Sequence, residues 1–276
     1  DANASKWNCD LKGGKLAILD RWILARLTEL VLQVSRCLEK FDSVESLKLI
    51  DDFVVKDFST WHIRRSRTRV GLGAKPMDRN TALSVMYGVL VCLSKLLAPF
   101  TPFITEEIYR NLTSGESVHL EDYPEGDSRL LDQDLIEKMK EIRYIVELGH
   151  GRRKELGIKV RQPLAKFKIQ NSKFKISEEL IELIKDELNV KNVEFESGKG
   201  DLNEEFDTKI TKQLKDEGEA RDIVRKIQQE RKRIGTSLDE KVNVVLNNWP
   251  FSYEAYIKKN ALVSSLKKGD KFLVVR

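Results

Sequence analysis

The spacing of apolar residues changes period at Pro163, and no single type of element can carry both periods. Upstream, five long stretches repeat an apolar side chain every three or four residues; downstream, short alternating runs sit between charged helical stretches. The expected fold is therefore mainly α, an antiparallel helical bundle followed by a small α/β domain. The pattern draws a bundle at 1–125, a connecting helix and linker at 126–164, and the α/β part at 165–276.

Between Lys15 and Phe41, the residues Leu19, Ile23, Leu27, Leu30, Val31, Val34, Leu38 and Phe41 make one helical stripe. Asp42 and Ser43 offer N-caps for a second helix, whose Leu47, Ile50, Val54, Phe58 and Trp61 lead without a break into a run of arginines. Gly71, Gly73 and Lys75-Pro76 end it in a loop. A third helix, Thr81–Leu97, is apolar on nearly every side and is expected to be the buried one, stopped by Pro99. Thr101 and Pro102 open a fourth, with Glu106 and Glu107 near its positive end. Gly115, Pro124 and Gly126 mark a polar connection, which is expected to be cut early by proteases, as are Gly198 to Gly200. A fifth helix covers Asp132–Leu156, with Gly157 as its C-cap. Beyond Pro163, alternation predicts strands at Ala165–Ile169, Val193–Glu196, Phe206–Ile210, Lys241–Leu246 and Lys271–Val275. Helices are expected at Glu178–Leu188, Lys212–Ile234 and Phe251–Leu266, with Gly198 to Gly200 separating two units, the second of which opens at Phe206.

With 41% hydrophobic and 34% charged residues, a core can be buried under a densely ionic surface, which excludes wholesale disorder. Ser84, Tyr87, Ser94 and Lys95 interrupt the most apolar run, Ala82 to Phe100, so no membrane span is expected, while the odd, scattered cysteines read as a reducing, cytoplasmic setting. Asp1 stands where Met would, with no leader behind it, and reads as the start of a piece of a longer chain. Cys9, Cys37 and Cys92 are too scattered for a disulfide framework, and they and His62, His119 and His150 are too scattered for a structural zinc site.

The net charge of +5 is unevenly spread. From Trp61 to Arg79, Arg64, Arg65, Arg67, Arg69, Lys75 and Arg79 stand against Asp78 alone. From Arg152 to Arg161, Arg152, Arg153, Lys154, Lys159 and Arg161 stand against Glu155. Arginine forks suit phosphate, so these clusters read either as a nucleic-acid face or as two solvated helix ends. No phosphate loop of the GxxxxGK[ST] or GxGxxG kind occurs, nor HExxH or GxSxG. The neighbouring carboxylates Asp51-Asp52 and Glu106-Glu107 point roughly 100° apart on helices and cannot share acid–base work. No active site is expected in this chain.

The runs Leu19–Leu27, Asp57–Arg67 (with Trp61-His62-Ile63-Arg64-Arg65-Ser66-Arg67) and Leu97–Tyr109 resemble, in order, the anticodon-binding helical bundle of class I aminoacyl-tRNA synthetases. Gly157–Leu164 and Glu217–Gln228 resemble the C-terminal extension of the isoleucine-specific members, so the likeness covers nearly the whole chain. It implies a monomer whose partner is isoleucine tRNA, with no membrane, no metal and no cofactor in this piece. The parent would be an ATP-dependent isoleucine-tRNA ligase. Its His-x-Gly-His and Lys-Met-Ser-Lys-Ser type signatures are missing here, so this chain alone is expected to be inactive. Arg64, Arg65, Arg67 and Arg69, with Arg152, Arg153, Lys154 and Arg161, are the implied tRNA contacts, and Trp61, which ends an apolar stripe, reads either as a core residue or as a ring that stacks on a base. Val70-Gly71-Leu72-Gly73 departs from the aromatic residue often found after the arginine run. The rival readings are a valine-type synthetase piece and a helical protein-interaction module that binds no RNA.

Overall fold

In a computed structural model, residues 15–71, 74–170, 176–196 and 203–276 are described; Cys9, Gly73 and the boundary expected at Gly198 to Gly200 lie outside them. The chain divides into two units, 1–139 and 140–276, with the division inside one helix rather than on either side of it.

In the first unit, helix α1 (Ile18–Glu39) buries the expected stripe, with Trp22, Ile23, Leu30, Val31 and Val34 all at 3% exposure or less. Full burial of each such side chain contributes roughly 1.5–3 kcal/mol before entropy is charged against it. Phe41, expected within that stripe, is instead 94% exposed with φ at 58°. It occupies the left-handed position that ends the helix, where Phe41 N–H bonds Leu38 O and Asp42 N–H reaches back to Cys37 O. Asp42 then caps α2 (Ser43–Asp52) by accepting the Glu45 N–H at 3.0 Å.

The second expected helix is continuous, but it changes register. Phe53–Ile63 is wound with π spacing before α3 (Arg64–Val70) resumes the α form. Phe53 stacks on Phe58, five residues on, at 6.4 Å and 9°, and Phe58 on His62 at 5.8 Å and 14°. This wider winding is rare and brings the three rings into one buried file.

Helix α4 (Pro76–Leu97) starts earlier than expected because Pro76 takes its first turn instead of breaking it. Its buried face runs through Ala82, Val85, Val89, Leu93 and Leu96, yet only 39% of its most apolar window is buried. It is thus one-sided, which corrects the expectation of burial all round. By length and composition it is apolar enough to cross a membrane, because the four interrupting residues leave its mean hydropathy high. Helix α5 (Pro102–Leu112) buries Thr105 and Tyr109. Its Glu106 accepts from Ser117 Oγ (3.0 Å) and Val118 N–H (2.9 Å), so it fastens the following connection and does not simply sit at the helix end. The backbone bond from Val118 holds that carboxyl below the ordinary range. A Cβ on Gly115 would come within 2.6 Å of the Tyr109 ring, and one on Gly126 within 2.8 Å of Leu32. The connection is thus packed closely at these two glycines.

Helix α6 (Gln133–Glu155) leads from the first unit into the second, which contains one arrangement built twice. Strand β1 (Leu164–Gln170) pairs in parallel with β2 (Val190–Glu196) across helix α7 (Glu178–Leu188), and antiparallel with β3 (Asn203–Phe206). After α8 (Lys212–Arg233), β4 (Val242–Leu246) pairs in parallel with β5 (Val263–Lys268) across α9 (Glu254–Ala261), and antiparallel with β6 (Leu273–Val275). Both sheets place their first strand in the middle, in the orders β2-β1-β3 and β5-β4-β6. Strand β3 therefore closes the first sheet; it was expected to open the second unit. The helix expected to reach Leu266 stops at Ala261, where Leu262 at φ 53° turns the chain so that Val263 can pair with β4. The second copy has its own core, including Ile223, Ile227, Val242, Val244, Ile257 and Val263.

Candidate nucleic-acid interface

The first arginine run rides on α3, which leaves the π segment with two unequal faces. Arg64 and Arg67 are exposed, whereas Arg65 and Arg69 lie half-buried on either side of the buried Ser66. Arg64 Nε bonds Thr60 O at 2.8 Å, which holds the side chain against its own helix. Arg69 is committed to the interior: its Nη1 and Nη2 fork onto Asp20 at 2.8 and 2.7 Å, and its Nε bonds Asp78 at 2.8 Å. Asp20 is fully buried and also contacts His62 Nε2 at 3.1 Å. Burial alone would raise that carboxyl, but the hydrogen bonds from His62 and Arg69 outweigh it and hold the pKa at about 2. Trp61 is 7% exposed and belongs to the core, so its ring face is not presented for base stacking. Lys75 and Arg79 are exposed on the approach to and first turn of α4.

The second cluster sits at the end of α6. Arg152 and Lys154 are exposed, and Arg152 pairs with Glu155 at 2.8 Å. Arg153 points the other way and is 1% exposed. Its guanidinium donates to the carbonyls of Lys159 and Gln162 (3.0 Å each) and Asn189 (3.3 Å), and lies 5.2 Å from the centre of the Phe206 ring. Burial pushes its pKa down to about 10, which leaves it cationic at neutral pH. Arg231, at the end of α8, makes the same latch on the second copy, donating to Ser237 O and Glu240 O. Each latch reaches the carbonyls six and nine residues ahead. Each is followed by a glycine four residues on, Gly157 at φ 66° and Gly235 at φ 68°, that ends its helix. Arg161 is half-buried and bonds Asp222 at 3.0 Å.

Of the expected contacts, then, Arg64, Arg67, Arg152 and Lys154 face solvent, Arg65 and Arg161 are half-buried, and Trp61, Arg69 and Arg153 are given to the fold. The twin latches are legible in the sequence as Arg-Lys-x-(Leu/Ile)-Gly at 153–157 and again at 231–235, a repeat that net charge alone does not reveal.

Residues 20–169 match the family described as the anticodon-binding domain of tRNA ligase. The chain is 34% identical to an isoleucine–tRNA ligase of Dehalococcoides mccartyi over 289 residues, which cover 93% of this chain and 28% of that protein. It is 44% identical over 187 residues to one of Chlamydia trachomatis (66% of this chain, 18% of that protein). With one of Thermus thermophilus it shares 40% over 152 residues (53% and 15%). The chain spans less than a third of the length of these relatives.

Proposed function

Since the chain belongs to the family of tRNA-ligase anticodon-binding domains, which it matches over more than half its length, we propose that it is the tRNA-binding, C-terminal portion of an isoleucine–tRNA ligase. It would position isoleucine tRNA while aminoacylation proceeds elsewhere in the enzyme. The observation that carries this reading is the reach of the similarity, which extends past the matched bundle across 93% of the chain. Arg64, Arg67, Arg152 and Lys154, being exposed, are the groups to set the register on phosphates. ATP would be held by other parts of the enzyme, because no phosphate-cradling motif occurs here. The setting would be the cytoplasm, and the chain a monomer.

The test is fluorescence anisotropy of the full chain against isoleucine and valine tRNA transcripts at several salt concentrations. Arg64→Glu with Arg67→Glu is expected to weaken binding and to flatten the salt dependence by roughly two units of slope. Tighter binding of the valine transcript would favour the valine-type rival, and equal affinity for both a non-specific binder. Absence of salt-dependent binding would favour a protein-interaction module.

A further inference from the structure

A cavity of about 730 Å³ opens in the second unit at the carboxyl end of β4, within the size range of small-ligand sites. It lies past the end of the central strand, which pairs in parallel with β5 and antiparallel with β6. One wall is held by Gln162, whose Nε2 donates to the carbonyls of Pro163 (3.0 Å) and Leu214 (2.8 Å), while Gly218 leaves it room.

Three kinds of group meet there. Phe272 offers a ring that is 41% exposed. Asn247 and Asn248 follow β4 directly, and their amides have no hydrogen bond among the described residues. Lys159, Lys215 and Lys226 line the walls without an ion pair among the described residues. The facing acids are largely answered, Asp222 by Arg161 at 3.0 Å and Glu230 by Arg233 at 2.7 Å, which leaves Glu219. A flat apolar ring, free amides and unpaired ammonium groups match the base, the base edge and the phosphate of a nucleotide in turn. At the end of the first copy's central strand, Gln170 Nε2 donates to Glu196 at 2.9 Å. Residues 164–206 carry seven bases against ten acids, and residues 242–276 six against two.

We propose that this cavity takes one unstacked nucleotide of the bound RNA, with Phe272 stacking on the base and Asn247 and Asn248 reading its edge. This rests on the tRNA-binding reading above.

The experiment uses the full chain and a labelled anticodon stem-loop of isoleucine tRNA, together with versions of that RNA carrying one abasic nucleotide at each loop position in turn. Phe272→Ala should bind the intact stem-loop roughly tenfold more weakly, and Phe272→Tyr about as well as the parent. One abasic position should cost the parent the same factor and cost Phe272→Ala nothing further. Lys226→Glu, on an exposed position of α8, serves as a second variant and should weaken binding with a shallower salt dependence. If the parent binds the stem-loop while Phe272→Ala and Lys226→Glu bind it equally well, the cavity is a solvated crevice and the proposal falls alone. If Phe272→Ala loses affinity for free AMP, GMP, CMP or UMP but not for RNA, the site serves free nucleotides and the proposal is overturned. If the parent binds neither stem-loop nor tRNA, the tRNA-binding reading falls and takes this one with it.

Discussion

Arg153 is 1% exposed and donates to three backbone carbonyls, bonds that are lost when it is removed. Arg153→Met is therefore expected to lower unfolding free energy by roughly 3 kcal/mol, read by urea denaturation, while the folded fraction keeps its tRNA affinity. Unchanged stability with lost affinity would return this residue to the RNA face. Asp20 sets a pH dependence whose sign follows from its depressed pKa. The carboxylate is stabilised in the folded chain down to about pH 2, against roughly 3.9 in the unfolded chain. It contributes on the order of 2 kcal/mol above pH 4, and that share is lost as the pH falls from about 4 to about 2. Asp20→Asn should flatten the denaturation midpoint across that window. Phe41 bears a side chain where the backbone is left-handed and makes little contact in return. Phe41→Gly should raise the thermal midpoint, by about 1 kcal/mol of stability; a lowered midpoint would mean that the exposed ring has a partner. At this scale the sequence showed which residues were arginines but not which way each pointed. Arg152, Arg153 and Lys154 read alike as text, and helical geometry turns the middle one inward.

The π segment has a consequence for the arginines that follow it. Deleting the exposed Thr60 should restore α spacing and rotate α3 by roughly 100° about its axis, carrying Arg69 away from Asp20. The expected result is a loss of roughly 3 kcal/mol, whereas Thr60→Ala should be nearly neutral; equal stability of the two variants would show that the winding does not set the register. The stripe through Ile50, Phe58 and Trp61 was visible as apolar periodicity, since burial writes itself into composition. The change of register was not, because it arises from how Phe53, Phe58 and His62 stack in three dimensions. The same holds for Val263–Lys268, which looked like a helix end until its pairing with β4 was seen.

For the molecule as a whole, the change of period at Pro163 did separate a helical part from an α/β part. Helix α6 gives its first turns to one unit and the rest to the other, and its stripe runs on unbroken. A chain ending at Ile210 should keep the first sheet, since every strand pair in it lies within 164–206. It should forfeit the bonds to later residues, such as Arg161 to Asp222, Lys191 to Glu217 and Gln162 to Leu214. Circular dichroism and thermal unfolding would check this, and a chain that melts without cooperativity would show that the copies depend on each other.

The twin latches also bear on how such a chain is made. Among the described residues no strand pairs from one copy to the other, so the first sheet has all its partners once Phe206 has left the ribosome. The second needs Val275. About 70 residues separate those moments, roughly 4–14 seconds at ordinary translation rates, long enough for the first copy to be closed by Arg153 before its twin is complete. Assembly in that order keeps two sheets of the same strand order from competing for one another's strands while the chain is still growing.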